Sequence, residues 1–136
     1  MKELTLEANV DNIAVVTDFV NALLEEAGCA MKAQLQIDVA IDELFGNIAR
    51  YAYASARGEA TVRVELDREA RQVSITLIDS GKPFDPLHEI PVPDTTSPLE
   101  QRPIGGLGVY LVKKTMDGIR YRHEGGKNML TIVKRI

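Results

Sequence analysis

Residues 37–48 read Ile37-Asp38-Val39-Ala40-Ile41-Asp42-Glu43-Leu44-Phe45-Gly46-Asn47-Ile48. The apolar residues Ile37, Ile41, Leu44 and Ile48 are spaced four, three and four apart, and Tyr51 follows after three more. That spacing predicts a helix from about Met31 to Tyr53 with one buried face. Glu43 and Asn47 are four apart, so they share a face, and they lie at the margin of the apolar stripe. A carboxylate there can polarise a nucleophile. A carboxamide oxygen beside it can ligate Mg²⁺, a hard cation that prefers oxygen. A solvated glutamate with a polar neighbour explains the pair equally well when it is taken alone.

Working outward, the chain alternates regular elements with marked breaks. Upstream, Leu4 and Leu6 alternate with polar residues as a short strand, and Asn9 or Asp11 can cap a helix over Val10–Ala27 that Gly28 stops. Downstream, Thr61–Leu66 and Val73–Ile78 alternate as two strands joined by the polar Asp67–Arg71 connection. All six prolines then fall between Pro83 and Pro103, where no apolar period survives. A loop of that length in a small domain is unusual, and such loops often cover sites. It predicts a flexible lid at about 82–104. A helix through Val109, Leu111, Val112 and Met116 follows, ended by Gly118, and then strands Ile119–His123 and Met129–Val133 around a Gly125-Gly126 turn. Hairpin-like strands with separate helices predict an α+β fold: a two-layer sandwich with a mixed, largely antiparallel sheet and helices packed on one face.

The bulk numbers bound the function. A chain of 136 residues favours one domain, 1–136. With 45% hydrophobic and 26% charged residues it has the means to build a core rather than remain disordered. The net charge of −4 argues against a surface built to grip nucleic-acid phosphates, so no direct nucleic-acid binding is expected. Cys29 is the one cysteine and cannot form a disulfide within the chain, which fits a reducing compartment. No apolar run is long enough to span a membrane, and Met1–Thr5 has no signal-peptide character. The cytoplasm is the expected location.

Three further features carry chemistry. Asp79-Ser80-Gly81 closes a strand: the carboxylate can accept a hydrogen bond from a base's amino group, and Gly81 allows a flat ligand near the backbone. A plain turn would use the same residues. Gly105-Gly106-Leu107-Gly108 opens a helix, where bare N–H groups form an anion site. Three glycines in four residues are more than a helix start needs, at roughly 1 kcal/mol each if helical. The segment is neither a Walker A loop nor a GxGxxG fingerprint after a strand. The lid between these features can exclude water and position phosphates. Its Arg102 could reach a terminal phosphate or stand solvated.

The order of these features resembles the ATP-binding (Bergerat-type) fold of gyrase, Hsp90, histidine kinases and MutL, whose boxes read Glu-x-x-x-Asn, Asp-x-Gly-x and Gly-x-Gly. The short chain and the closing Tyr121–Lys134 segment are similar to the anti-sigma factor serine/threonine-protein kinase branch. The resemblance implies ATP and Mg²⁺ as cofactors, with Asn47 holding the metal and Glu43 acting on a serine or threonine hydroxyl of a protein substrate. It implies Asp79 on the adenine amino group, Gly81 in the base pocket, and Gly106, Leu107 and Gly108 presenting N–H groups to phosphate with Gly105 supporting the turn. Thr131 is a candidate support for Asp79, with Asn128 an alternative. The implied partners are a STAS-type anti-sigma factor antagonist as phosphorylated substrate and a sigma factor that is sequestered, with a homodimer as a candidate assembly. Two alternatives stand beside the kinase: a non-catalytic, ATP-responsive partner-binding module, and a detached histidine-kinase ATP-binding domain. His88 and His123 have no metal-pair spacing, and Tyr51 and Tyr53 are expected to pack rather than stack on a base.

Overall fold

A computed structural model describes residues 1–53, 56–89 and 107–136. In chain order these form β1 (Lys2–Glu7), a 3₁₀ turn (Val10–Asn12), α1 (Ile13–Glu26), α2 (Met31–Asn47), a π-helical turn (Ile48–Ala52), β2 (Glu59–Asp67), β3 (Gln72–Asp79), α3 (Pro86–Glu89), α4 (Leu107–Thr115), β4 (Gly118–Glu124) and β5 (Lys127–Arg135). The strands make one five-stranded sheet in the order β1-β2-β3-β5-β4. Every pairing among them is antiparallel, so the expected largely antiparallel sheet holds no parallel pair among the described strands.

Strand alternation divides the sheet into two faces. Val62, Val64, Val73, Ile75, Leu77, Leu130 and Ile132 join one buried cluster with Val16, Val20 and Leu24 of α1, the Ile37–Phe45 stripe of α2, and Val109 and Val112 of α4. The helices therefore cover one face, as burying alternate strand residues against amphipathic helices requires. On the other face, hydroxyls pair across strands: Thr5 with Thr61 at 2.8 Å and Thr76 with Thr131 at 2.9 Å.

The predicted elements recur, with a difference in each of three helices. The first helix begins at Ile13, because Val10–Asn12 forms a tighter turn capped by the Asn9 side chain, whose oxygen accepts from the Asn12 N–H at 2.9 Å. Gly28, at φ +72°, ends that helix in the left-handed conformation that glycine adopts without strain. The second helix is α-helical only to Asn47 and then widens into the π turn. Widening rotates the following residues, so Ile41 and Leu44 are buried while Tyr51, predicted on the same stripe, is 58% exposed. Such turns are frequent beside functional sites. In α4, Val109, Val112 and Met116 are buried at spacings of three and four, and Leu111, off that register, is exposed. The Gly125-Gly126 turn takes φ +60° and +77°, as a two-residue hairpin between right-twisted strands demands.

Candidate nucleotide-binding site

The end of α2, the π turn, the end of β3 and the start of β5 surround a cleft. Leu44, Asn47, Ile48, Tyr51, Ala52, Phe84, Pro86, Tyr121 and Leu130 line it together with Asp79, Lys82 and Asn128. It encloses about 480 Å³ of space, part of it open to solvent. Mostly apolar walls with a few convergent polar groups are the usual design of a small-molecule site.

Asp79 and Asn128 are the polar centre, each only 6% exposed. They stand directly opposite one another in the β3–β5 register. The Asn128 Nδ2 donates to Asp79 Oδ1 at 3.0 Å, to the Lys82 carbonyl at 3.0 Å and to the Gly81 carbonyl at 3.4 Å. Its Oδ1 accepts from the Phe84 N–H at 3.3 Å and from the Tyr121 hydroxyl. With donors on one side and acceptors on the other, the amide has one orientation that serves all five contacts. Asp79 Oδ1 also accepts the Gly81 N–H at 2.9 Å. Both of these contacts fall on Oδ1.

Of the two alternative supports for Asp79, the structure selects Asn128. Thr131 is three residues further along β5 and, by strand alternation, lies on the opposite face of the sheet, where it pairs with Thr76. Tyr121, which the sequence reading did not single out, reaches Asn128 from β4. Its signal was the alternation of Ile119 and Tyr121 in the last hairpin.

Gly81 has a structural reason for being glycine. A Cβ there would lie 2.3 Å from the Ala52 carbonyl oxygen, and Lys82 N–H donates to that same oxygen at 3.1 Å. Thus the Asp79–Lys82 segment is docked onto the turn that continues α2. Along α2, Asn47 lines the cleft and its Nδ2 is buried with no hydrogen-bond partner among the described residues. An orphaned buried amide is costly, and it marks a position where a ligand atom would find an unmet partner. One turn earlier, the Glu43 carboxylate rests against Gly108 in the first turn of α4: a Cβ on Gly108 would lie 2.1 Å from Glu43 Cδ and Oε2. The acid of the first motif and the last glycine of the third therefore meet in space.

Several predicted residues lie outside the described residues: Arg102, Gly105, Gly106 and the lid from residue 90 onward. Leu107 opens α4, and only its backbone is described. Lys113 donates to the Leu87 carbonyl at 2.8 Å, tying α4 to α3, and Lys114 lies over the Tyr110 ring. Tyr53 packs, as expected, and Tyr51 borders the cleft. His123 is exposed on the edge strand β4 and His88 belongs to the four-residue α3, so neither stands on a helical hairpin. Burial pushes the Cys29 thiol up, an effect the nearby Arg71 opposes. Among the described residues no group of three His, Cys, Asp or Glu side chains could hold a metal by itself, and no helix is long and apolar enough to cross a membrane.

The family described as the histidine kinase-like ATPase domain matches residues 6–134. A serine-protein kinase RsbW of Bacillus cereus is 28% identical over 131 residues, spanning 94% of this chain and 81% of that protein. The protein of the same name in Bacillus mycoides is 27% identical over the same spans. Among solved structures, that of the RsbU and RsbW domains of a Mycobacterium tuberculosis protein superposes with a TM-score of 0.65 at 17% identity. It covers 99% of this chain and 32% of the longer one.

Proposed function

The chain belongs to the histidine kinase-like ATPase domain family, and on that footing we propose that it is an ATP-dependent serine/threonine protein kinase acting on a small regulatory protein. The observation that carries the reading is the convergence in one cleft region of three separated motifs. Asp79 and Asn47 line its walls, Gly81 docks on the turn after Asn47, and Glu43 touches Gly108. The kinase branch is favoured because the named relatives are serine-protein kinases that align along nearly the whole chain.

In this reading Asp79 accepts the adenine amino group, with Oδ1 held by Asn128 and Gly81. The apolar walls enclose the ring. The Asn47 carboxamide oxygen would be the group to hold a Mg²⁺ ion that keeps most of its ligands from phosphate and water, and its orphaned Nδ2 would donate to an acceptor such as a phosphate oxygen. Mg²⁺, when bound, supplies charge neutralisation on the phosphates. The Gly105–Gly108 backbone receives phosphate oxygens. Glu43 takes the proton of a serine or threonine hydroxyl as its oxygen bonds to the terminal phosphorus and the bond to the bridging oxygen breaks, releasing ADP. Phosphoryl transfer depends chiefly on positioning and charge stabilisation, so a sparse site suffices. The substrate class is an anti-sigma factor antagonist. Sequestration of a sigma factor is the second activity of the proposal.

The test has two parts. ATP-Mg²⁺ affinity is measured for the wild type and Asp79→Asn, and the variant is expected to lose most of it; unchanged affinity would sink the site assignment. Incubation of the wild type with ATP, Mg²⁺ and a copurifying antagonist is expected to yield a phosphoserine or phosphothreonine protein. Glu43→Ala should keep the partner and lose transfer. ATP-sensitive partner binding without a phosphoprotein would instead establish the non-catalytic module.

A further inference from the structure

We infer that Tyr53 is a positioning residue for base recognition, acting on Asp79 through a hydroxyl that does not border the cleft. This rests on the adenine-binding reading of Asp79 given above.

Tyr53 follows the π turn directly. Its hydroxyl donates to the Glu59 carbonyl at 2.6 Å, where β2 begins, and accepts from the Ser80 N–H at 2.7 Å. A phenol has one proton to give. Because that proton goes to Glu59, the lone pairs are left for Ser80, and both contacts are made at once. The ring is fixed by the neighbouring Gly58, where a Cβ would come within 2.4 Å of three ring carbons. A side chain at residue 58 would have to displace the ring, and the hydroxyl would move with it.

One residue earlier, the Ala52 carbonyl holds Lys82 N–H, and Gly81 fits closely against it. Residues 80–82 are therefore pinned to residues 52–53 by two hydrogen bonds and one close backbone contact. From the opposite side, Asn128 holds Asp79, Gly81 and Lys82. Asp79 is the last residue of β3, immediately before this doubly held segment. Residues 52 and 53 continue the helix that bears Glu43 and Asn47, so Tyr53 couples the helix of the phosphate-end residues to the loop of the base-end residue. Since Tyr53 is not among the lining residues, its hydroxyl reaches a bound nucleotide only through the aim of the Asp79 carboxylate.

The experiment uses Tyr53→Phe, which keeps the ring on Gly58 and removes the bridge. Binding of ATP and of ITP, whose 6-oxo group offers no amino proton, is measured for the wild type, Tyr53→Phe and Asp79→Asn. Exchange of the Ser80 amide is followed in the nucleotide-free protein. Tyr53→Phe is expected to lower the ATP-to-ITP affinity ratio about three- to tenfold and to speed Ser80 exchange. Gly58→Ala, which displaces the ring, is expected to do the same. An equal loss for both nucleotides, or an unchanged ratio with unchanged exchange, overturns the inference. If Asp79→Asn abolishes the preference for ATP while Tyr53→Phe leaves it intact, this inference fails and the adenine reading survives. If the wild type binds ATP and ITP alike, the adenine reading fails and takes this inference with it.

Discussion

Replacing Asn128 tests the centre of the site without any ligand. Asn128→Ala removes a buried amide that makes contacts in five directions. The bond at 3.0 Å to Asp79 joins a donor to a carboxylate, a class worth about 1.5–3 kcal/mol, and a neutral bond such as that to Lys82 contributes about 1 kcal/mol. Some of the freed groups recover water at the cleft mouth. The net loss is about 3 kcal/mol, within a range of about 2–4 kcal/mol. For a chain of 136 residues, 1 kcal/mol corresponds to about 3 °C in melting temperature. Asn128→Ala should therefore melt about 10 °C below the wild type in a calorimetric scan near neutral pH.

Asn128→Asp sharpens the test because it keeps shape and reverses chemistry. The Nδ2 donor becomes an oxygen facing the Asp79 carboxylate, and two like charges about 3 Å apart repel. The folded variant then holds a proton between the two carboxyl groups more tightly than the unfolded chain does. Its stability is lowest near neutral pH and recovers as pH falls through the raised folded value toward the ordinary carboxylate range, opposite to the usual acid loss of stability. Melting curves of wild type and variant between pH 4 and 8 read this directly. An Asn128→Ala protein melting within about 2 °C of the wild type, or an Asn128→Asp deficit independent of pH, would refute the Asp79–Asn128 arrangement.

Three further outcomes follow from single contacts. Gly81→Ala must move backbone rather than a side chain, since its Cβ would lie 2.3 Å from the Ala52 carbonyl oxygen; a loss of about 2 kcal/mol or more is expected from chemical denaturation. Burial holds the Cys29 thiol above its ordinary range, so alkylation at pH 8 should run slower than for a free cysteine and accelerate on unfolding. Burial also raises the Asp38 carboxyl, against the opposing Asn21 hydrogen bond, and an oxygen of each side chain is buried without a partner among the described residues. The folded state therefore holds this proton more tightly, and Asp38 lowers stability as pH rises from the ordinary carboxyl value through the raised one. Asp38→Asn should melt slightly higher at pH 7, with the gain vanishing in acid.

The sequence made the fold legible wherever burial enforces a period. The Ile37–Leu44 stripe, the alternation from Val62 to Leu66 and the double-glycine hairpin each have one physical reading, and each was realised. Tyr51 escaped because the π turn shifts the helical phase after Asn47, and no apolar residue announces that shift. Thr131 came before Asn128 because a hydroxyl was sought, and only the cross-strand register shows that Asn128 faces Asp79. Tyr121 and Tyr53 act through hydrogen bonds to distant segments, which spacing along the chain cannot reveal.

The glycines of the motifs show why such a site can be legible at all. Read as sequence, Gly81 and Gly108 look like concessions to a ligand. In the structure the atoms that a side chain would strike belong to the protein: the Ala52 carbonyl at Gly81 and the Glu43 carboxylate at Gly108. Both partners are supplied by α2 and its π-helical continuation. The helix that carries the acid and the amide therefore sets the spacing of the other two motifs by direct contact. A side chain at Gly81 would have to move the backbone of the π turn, whereas one at Gly108 would displace the end of the Glu43 side chain, the carboxylate itself. The motif order carries information because packing, and not only ligand chemistry, restricts Gly81 to glycine and ties Gly108 to the position of the Glu43 carboxylate.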